Sequence, residues 1–126
     1  MKYSIDRQEK YIILKVENEK LDSTISPDLK SELQAIHGQG VQNIIIDLSG
    51  VKYIDSSGLS SVLVGNRIFG ENNGTFILAG VSDHAMKLIK ISQLDKVLSI
   101  LPTVEEAVDA VFLLEIESGL LNEDGK

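Results

Sequence analysis

The chain of 126 residues contains no cysteine and no tryptophan, and only two prolines and two histidines. Without cysteine there is no disulfide, no thiolate metal site and no cysteine nucleophile. A zinc ion would have to use His37 and His84, which stand 47 positions apart with no ligand spacing. No metal and no organic cofactor is therefore expected. Basic charge is also scarce, with 12 Lys and Arg against 19 Asp and Glu for a net charge of −7. Nucleic-acid binding needs clustered cations to neutralise phosphates, so this class is excluded. Docking on anionic lipid is disfavoured for the same reason. The apolar runs are short, far below the ~20 residues of a membrane helix. Met1 to Lys10 has no apolar core of a signal peptide, which points to the cytoplasm.

What is present is an ordinary globular balance, 43% hydrophobic and 25% charged. A chain of this length buries ~65–70% of its unfolded surface, enough for one core. We expect a single domain over 1–126, with its core at about 3–111 and an extended helix and tail over 112–126. Tyr3, Ile5 and Arg7 alternate, and Tyr11 to Glu17 follows a short polar turn, which reads as a hairpin. Ser26 and Pro27 suit a helix cap and the first helical position, Leu29, Leu33 and Ile36 form its apolar stripe, and Gly38 or Gly40 ends it. Gln42 to Leu48 is a β-branched run of the kind covered on both faces in a parallel sheet. A second helix carries Leu59, Val62, Leu63 and Phe69, and 70–74 reads as a loop before a strand at Thr75–Ala79.

A third helix is expected over Ser82–Ile91, capped by Ser82 or Asp83, with Met86, Leu88 and Ile89 apolar. A last strand over Val97–Ile100 stops at Pro102. Thr103 caps a final helix with Glu105 and Glu106 in its first turn and Val104, Val108, Val111, Phe112 and Ile116 as its apolar positions. Residues 122–126 carry no fold signal. The order is β-β-α-β-α-β-α-β-α: an α/β fold with a mainly parallel mixed sheet of about five strands, four helices and one antiparallel hairpin strand at an edge.

One stretch carries chemistry. Asp47-Leu48-Ser49-Gly50-Val51 runs on through Tyr53-Ile54 to Asp55-Ser56-Ser57-Gly58-Leu59, a hydroxyl-rich knot between a buried strand and an amphipathic helix. With Asp55 as cap, Ser57 falls in the first helical turn, where amides are unpaired and a phosphate meets the positive end of the dipole. Taken alone, these residues also read as plain capping. Gly58, Ser61 and Gly65 recur along one helix face. Such a strip either admits another backbone or packs tightly on its own sheet. A second polar knot, Leu21-Asp22-Ser23-Thr24, follows the second strand. Neighbouring parallel strands end side by side, so Asp22 and Ser57 are expected to lie close together at the edge where such sheets bind ligands.

The Asp47–Val51 and Tyr53–Leu59 segments resemble the signature of STAS domains, specifically the stand-alone bacterial anti-sigma factor antagonists. The resemblance runs from about Tyr3 to Val111. It implies that Ser57 is phosphorylated by an anti-sigma factor that is also a serine kinase, and that a PP2C-type phosphatase reverses this. It further implies that Asp22 and Asp55 flank the phosphorylation site and that Gly58 is the glycine following it. Asp22, Ser23, Asp55, Ser56, Ser57, Gly58 and Ser61 would then form the partner-binding surface, with no catalytic residue and no metal. Two departures stand out. Glu19 occupies a position where the family often has glycine, and 112–126 runs past the usual end, which suggests homodimer contact through the last helix.

Three other readings compete. A receiver-type phosphoacceptor domain has similar alternation, but it needs an acidic pair after the first strand and a lysine after the last, where Ile100-Leu101-Pro102 stands. A serine hydrolase needs Ser57 in a G-x-S-x-G elbow, which is absent. A STAS interaction module of a lipid-transport or stress-signalling assembly would keep the fold and change the partner.

Overall fold

A computed structural model describes residues 1–71 and 73–124. Five strands form the main sheet in the spatial order β1 (Tyr3–Arg7), β2 (Ile12–Val16), β4 (Asn43–Asp47), β6 (Thr75–Ala79) and β7 (Ser99–Leu101). The first pair is the expected antiparallel hairpin, with Tyr3 opposite Val16 and Arg7 opposite Ile12. The other pairings are parallel. Between them run α1 (Ser26–Gly38), α2 (Ser56–Gly70), α3 (Asp83–Ile91) and α4 (Val104–Asp124).

The two faces of the sheet divide the core by residue parity. Ile12, Leu14, Val16, Ile44, Ile46, Phe76 and Leu78 point to α1, α2 and α3 and meet Leu29, Leu33, Ile36, Val62, Phe69 and Ile89. Ile45, Ile77 and Ala79 point the other way, to Ala107 and Val111 of α4. That double coverage explains the unbroken Ile44-Ile45-Ile46 run, because every position of a central parallel strand must be apolar. Burying a side chain such as Phe69, which touches Phe76 at 6.0 Å between ring centroids, contributes ~1.5–3 kcal/mol.

Two boundaries differ from expectation. The last strand is Ser99–Leu101 rather than 97–100, because Leu94–Lys96 forms a 3₁₀ turn that delays it and leaves Val97 exposed. The last helix extends to Asp124, so 122–124 are helical, while 125–126 lie outside the described residues. Beyond Val111 this helix leaves the sheet and exposes Phe112, Leu113, Leu114 and Ile116. Asn43, buried at the start of β4, donates to Glu115 Oε1 and to the Lys10 carbonyl, both at 2.9 Å, and so ties α4 to the strand.

Two short strands were not legible at all. β3 (Lys20–Leu21) and β5 (Tyr53–Ile54) pair in parallel as a separate two-stranded sheet, Lys20 beside Tyr53 and Leu21 beside Ile54. The first turn of α2 rests on this pair with almost no clearance. A Cβ on Gly58 would lie 2.2 Å from the Leu21 carbonyl oxygen and 2.7 Å from Ile54 Cγ1, whereas one on Gly70 meets nothing within 4 Å. Both glycines belong to α2, so they form a matched pair. Gly58→Ala should destabilise the domain by ~1–3 kcal/mol through overpacking against backbone. Gly70→Ala should be neutral or stabilising by up to ~1 kcal/mol. Urea unfolding of the two variants checks this, and equal midpoints would contradict the packing assigned to Gly58.

Candidate functional site

The β3–β5 pair delivers two polar loops to one place. After Leu21 the chain turns through Asp22, whose Oδ1 accepts from the Thr24 amide at 3.0 Å and from the Thr24 hydroxyl. The Asp22 carbonyl accepts from the Ile25 and Ser26 amides and from Ser26 Oγ at 2.6 Å. These bonds correct one expectation about α1. Ser26 is its first helical residue, and its hydroxyl donates backward instead of capping forward. Ile25 holds the cap position without a side-chain bond. The Asp22 turn has taken over the work of ending the loop.

After Ile54 the second loop is shorter. Asp55 caps α2, its Oδ1 accepting from the Gly58 amide at 2.9 Å, while its own amide donates to the Leu21 carbonyl at 3.3 Å. A cap of this kind is worth ~1 kcal/mol and fixes where the first turn points. Ser56 is exposed and Ser57, the second helical residue, is half-buried. Ser23, Ser56 and Ser57 line one groove of about 310 Å³ with Ser26, Lys30 and Ser60. Asp22 and Asp55 follow directly on paired strands, so Asp22, Ser23, Asp55, Ser56 and Ser57 share one edge as expected.

Gly58 and Ser61 do not belong to that surface. Both are buried, and Ser61 Oγ donates to the Gly58 carbonyl at 2.6 Å inside the helix. Gly65, the third member of the strip, lies against Phe76 and Leu33, where a Cβ would approach within 2.6–2.7 Å. Of the two readings of the small-residue strip, internal packing holds. Gly58 and Ser61 shape the site from beneath without offering it contact atoms.

The Asp22 carboxyl is perturbed by its own turn. The hydrogen bonds from the Thr24 hydroxyl and amide hold the Asp22 carboxyl below its ordinary range, with Lys20 adding a smaller pull in the same direction against slight desolvation. Glu19, the departure from the resembling pattern, does not disturb the loop. Its carbonyl accepts from the Lys52 and Tyr53 amides at 2.8 and 3.1 Å, and its side chain lies 3.5 Å from Lys52 Nζ.

The competing chemistries lack their groups. His84 stacks on Tyr53 with 5.3 Å between centroids, and His37 meets Phe69 edge-on at 5.2 Å near the far end of α1. Neither is placed as a base for Ser57. Asp47 accepts from the Ser49 amide at 2.9 Å in a local turn. Among the described residues, no group of three or more His, Asp or Glu is positioned to hold a metal ion. No helix there is long and apolar enough to cross a membrane. The sequence placed Thr24 in a polar knot without giving it a role, and it did not point to Lys30 or the Tyr53–His84 stack. For Thr24 the signal was available, since Asp-x-Thr ahead of a helix is the pattern of a side-chain turn.

Comparison with known proteins places this geometry. The sequence model described as STAS domain matches residues 2–107. An anti-sigma-B factor antagonist of Staphylococcus aureus is 31% identical over 87 residues, which is 69% of this chain and 80% of that one. The crystal structure of an anti-sigma factor antagonist from Mycobacterium paratuberculosis superposes with a TM-score of 0.78 at 23% identity, covering 87% of this chain and 92% of its own. The Bacillus cell fate determinant SpoIIAA in its phosphorylated form gives 0.68 at 24% identity, covering 87% and 99%. These two solved structures share the fold. With the domain matched over most of its length and a curated relative above 30% identity, the chain belongs to the STAS domain family.

Proposed function

We propose that this protein is an anti-sigma factor antagonist that works as a phosphorylation-controlled partner switch in the cytoplasm. The observation that carries the reading is the meeting of the Asp22 and Asp55 loops beside the half-buried Ser57. Unphosphorylated, the edge docks on an anti-sigma factor and frees the sigma factor held there. The anti-sigma factor, acting as a serine kinase, transfers the γ-phosphoryl group of ATP to Ser57 Oγ. The hydroxyl proton leaves and ADP is released. A PP2C-type phosphatase restores the hydroxyl by hydrolysis to inorganic phosphate. The antagonist itself acts by binding and catalyses nothing.

The physics of release is local. Phosphorylation adds about −1.5 to −2 charges at pH 7. Against a partner, that charge must be desolvated beside Asp22 and Asp55, and a neutral serine carries no such cost. A tenfold loss of affinity needs only ~1.4 kcal/mol. Within the free protein the same phosphate sits in the first turn of α2, where the helix dipole favours an anion by ~0.3–1 kcal/mol.

Two outcomes are expected. Ser57→Asp should weaken binding to the cognate anti-sigma factor at least tenfold in calorimetry, while Ser57→Ala should bind as tightly as the parent and take no label from kinase and [γ-³²P]ATP. Normal labelling of Ser57→Ala would overturn the site. The second outcome concerns Asp22, whose depressed pKa means that its bonds stabilise the fold above the ordinary carboxylate range and cease to do so as pH falls through the folded value. Thr24→Val should raise the Asp22 pKa part of the way back toward the ordinary carboxylate range, the Thr24 amide bond remaining. It should also lower stability at neutral pH, with the difference closing in acid. Carboxyl-carbon NMR titration of both proteins reads the shift, and an unchanged Asp22 midpoint would refute the role given to Thr24.

A further inference from the structure

The groove between the starts of α1 and α2 contains a charge that the switch just described does not use. Ser23 and Ser26 line one side and Ser56, Ser57 and Ser60 the other, and Lys30 is the single charged side chain in its wall. Lys30 stands one helical turn beyond Ser26 on α1 and is half-buried. No carboxylate lies within 4 Å of its ammonium among the described residues, where the ion pairs are Met1–Asp28 and Lys52–Glu19. The three carboxylates adjoining groove residues in sequence are committed elsewhere, Asp22 to Thr24, Asp28 to the Met1 amine and Asp55 to the Gly58 amide. Its stem packs along the groove wall while no carboxylate competes for its charge, so the ammonium is available to an anion arriving in the groove.

We propose that Lys30 is the internal charge partner of phosphoserine at position 57, holding the phosphoryl group in this groove in the free protein. The inference rests on the reading of Ser57 as the modified residue. The groove already provides what a phosphate needs: a cation, hydroxyl donors on both walls, and water access for a dianion. Its formal charge passes from +1 to between roughly −0.5 and −1 on phosphorylation. The modification therefore neutralises a lysine that the unphosphorylated edge presents to its partner, besides adding an anion. Lys30 is a positioning residue, acting on the phosphate and not on phosphoryl transfer.

The test installs phosphoserine at position 57 of the full chain by genetic code expansion, so that no kinase is needed, and follows its second ionisation by ³¹P NMR. A nearby cation favours the dianion, so Lys30→Met should raise that midpoint by about half a unit or more. Lys30→Arg should leave it near the parent value. Lys90→Met, which removes the same charge at the far end of α3, should not move it. A second readout guards against a purely structural effect: the melting temperature gained or lost on phosphorylation should shift in Lys30→Met and stay constant in Lys90→Met. Coincident ³¹P titrations for Lys30→Met and the parent would overturn the proposal. Failure of the kinase to label unmodified parent protein would instead sink the Ser57 reading while leaving the titration result intact.

Discussion

The geometry of the candidate site depends on one close approach, the Cα of Gly58 against the carbonyl of Leu21. At that position even a methyl group would sit 2.2 Å from the oxygen. The contact lets the first turn of α2 lie directly on the β3–β5 pair, and through that pair it fixes the distance between the Asp22 turn and the Asp55 cap. The glycine is thus required by sterics on the inner side of the helix while the adjacent serines face out. A motif that reads in one dimension as serine, serine, glycine is in three dimensions two exposed or half-exposed hydroxyls above a backbone contact. Protein interiors transmit such displacements because they are close-packed, so a shift of the first turn would move Ser57 with it.

Below that contact, the sheet supplies rigidity without supplying chemistry. Ile44 and Ile46 anchor the three helices on one face and Ile45 anchors α4 on the other, so β4 is held from both sides. Ser57 therefore sits at the start of a helix whose axis is fixed by Val62, Gly65 and Phe69. Polar groups are matched inside this frame: Ser61 bonds the Gly58 carbonyl, Ser26 the Asp22 carbonyl and Asn43 bridges Lys10 and Glu115. Among the described residues no buried side-chain nitrogen or oxygen lacks a partner.

The long elements were legible because periodicity and caps agree in them. The Ile44–Ile46 run, the Asp55 and Ser82 caps and Thr103 before α4 each name their structure by a local rule, and each stands where that rule puts it. The two-residue strands β3 and β5 have no period to detect, and they exist only because tertiary packing brings Leu21 beside Ile54. The delayed β7 had the same origin, a 3₁₀ turn set by Gln93 in a left-handed conformation at φ 61°. At the site, the sequence indicated Asp22, Asp55 and Ser57 through motif and spacing. It could not tell that Gly58 and Ser61 face inward, because a strip of small residues looks identical whether it meets a foreign backbone or its own sheet. Nor could it find Lys30, an ordinary helix lysine whose significance comes only from the groove beside it.

On the proposal that Ser57 is the modified residue, its placement separates two quantities that phosphorylation would otherwise disturb together. A dianion in the interior would unfold the domain, and one on a remote loop would change nothing that a partner feels. At the second position of α2 the added charge meets the positive end of a helix and the hydroxyl-lined groove, which offset its desolvation within the free protein. Docking removes the water that the phosphate still uses and brings the acidic rim of Asp22 and Asp55 into a lower dielectric, where repulsion grows. The same group is thus tolerable alone and costly in a complex. The switch proposed above thus acts on affinity through local charge and calls for no second conformation of the domain.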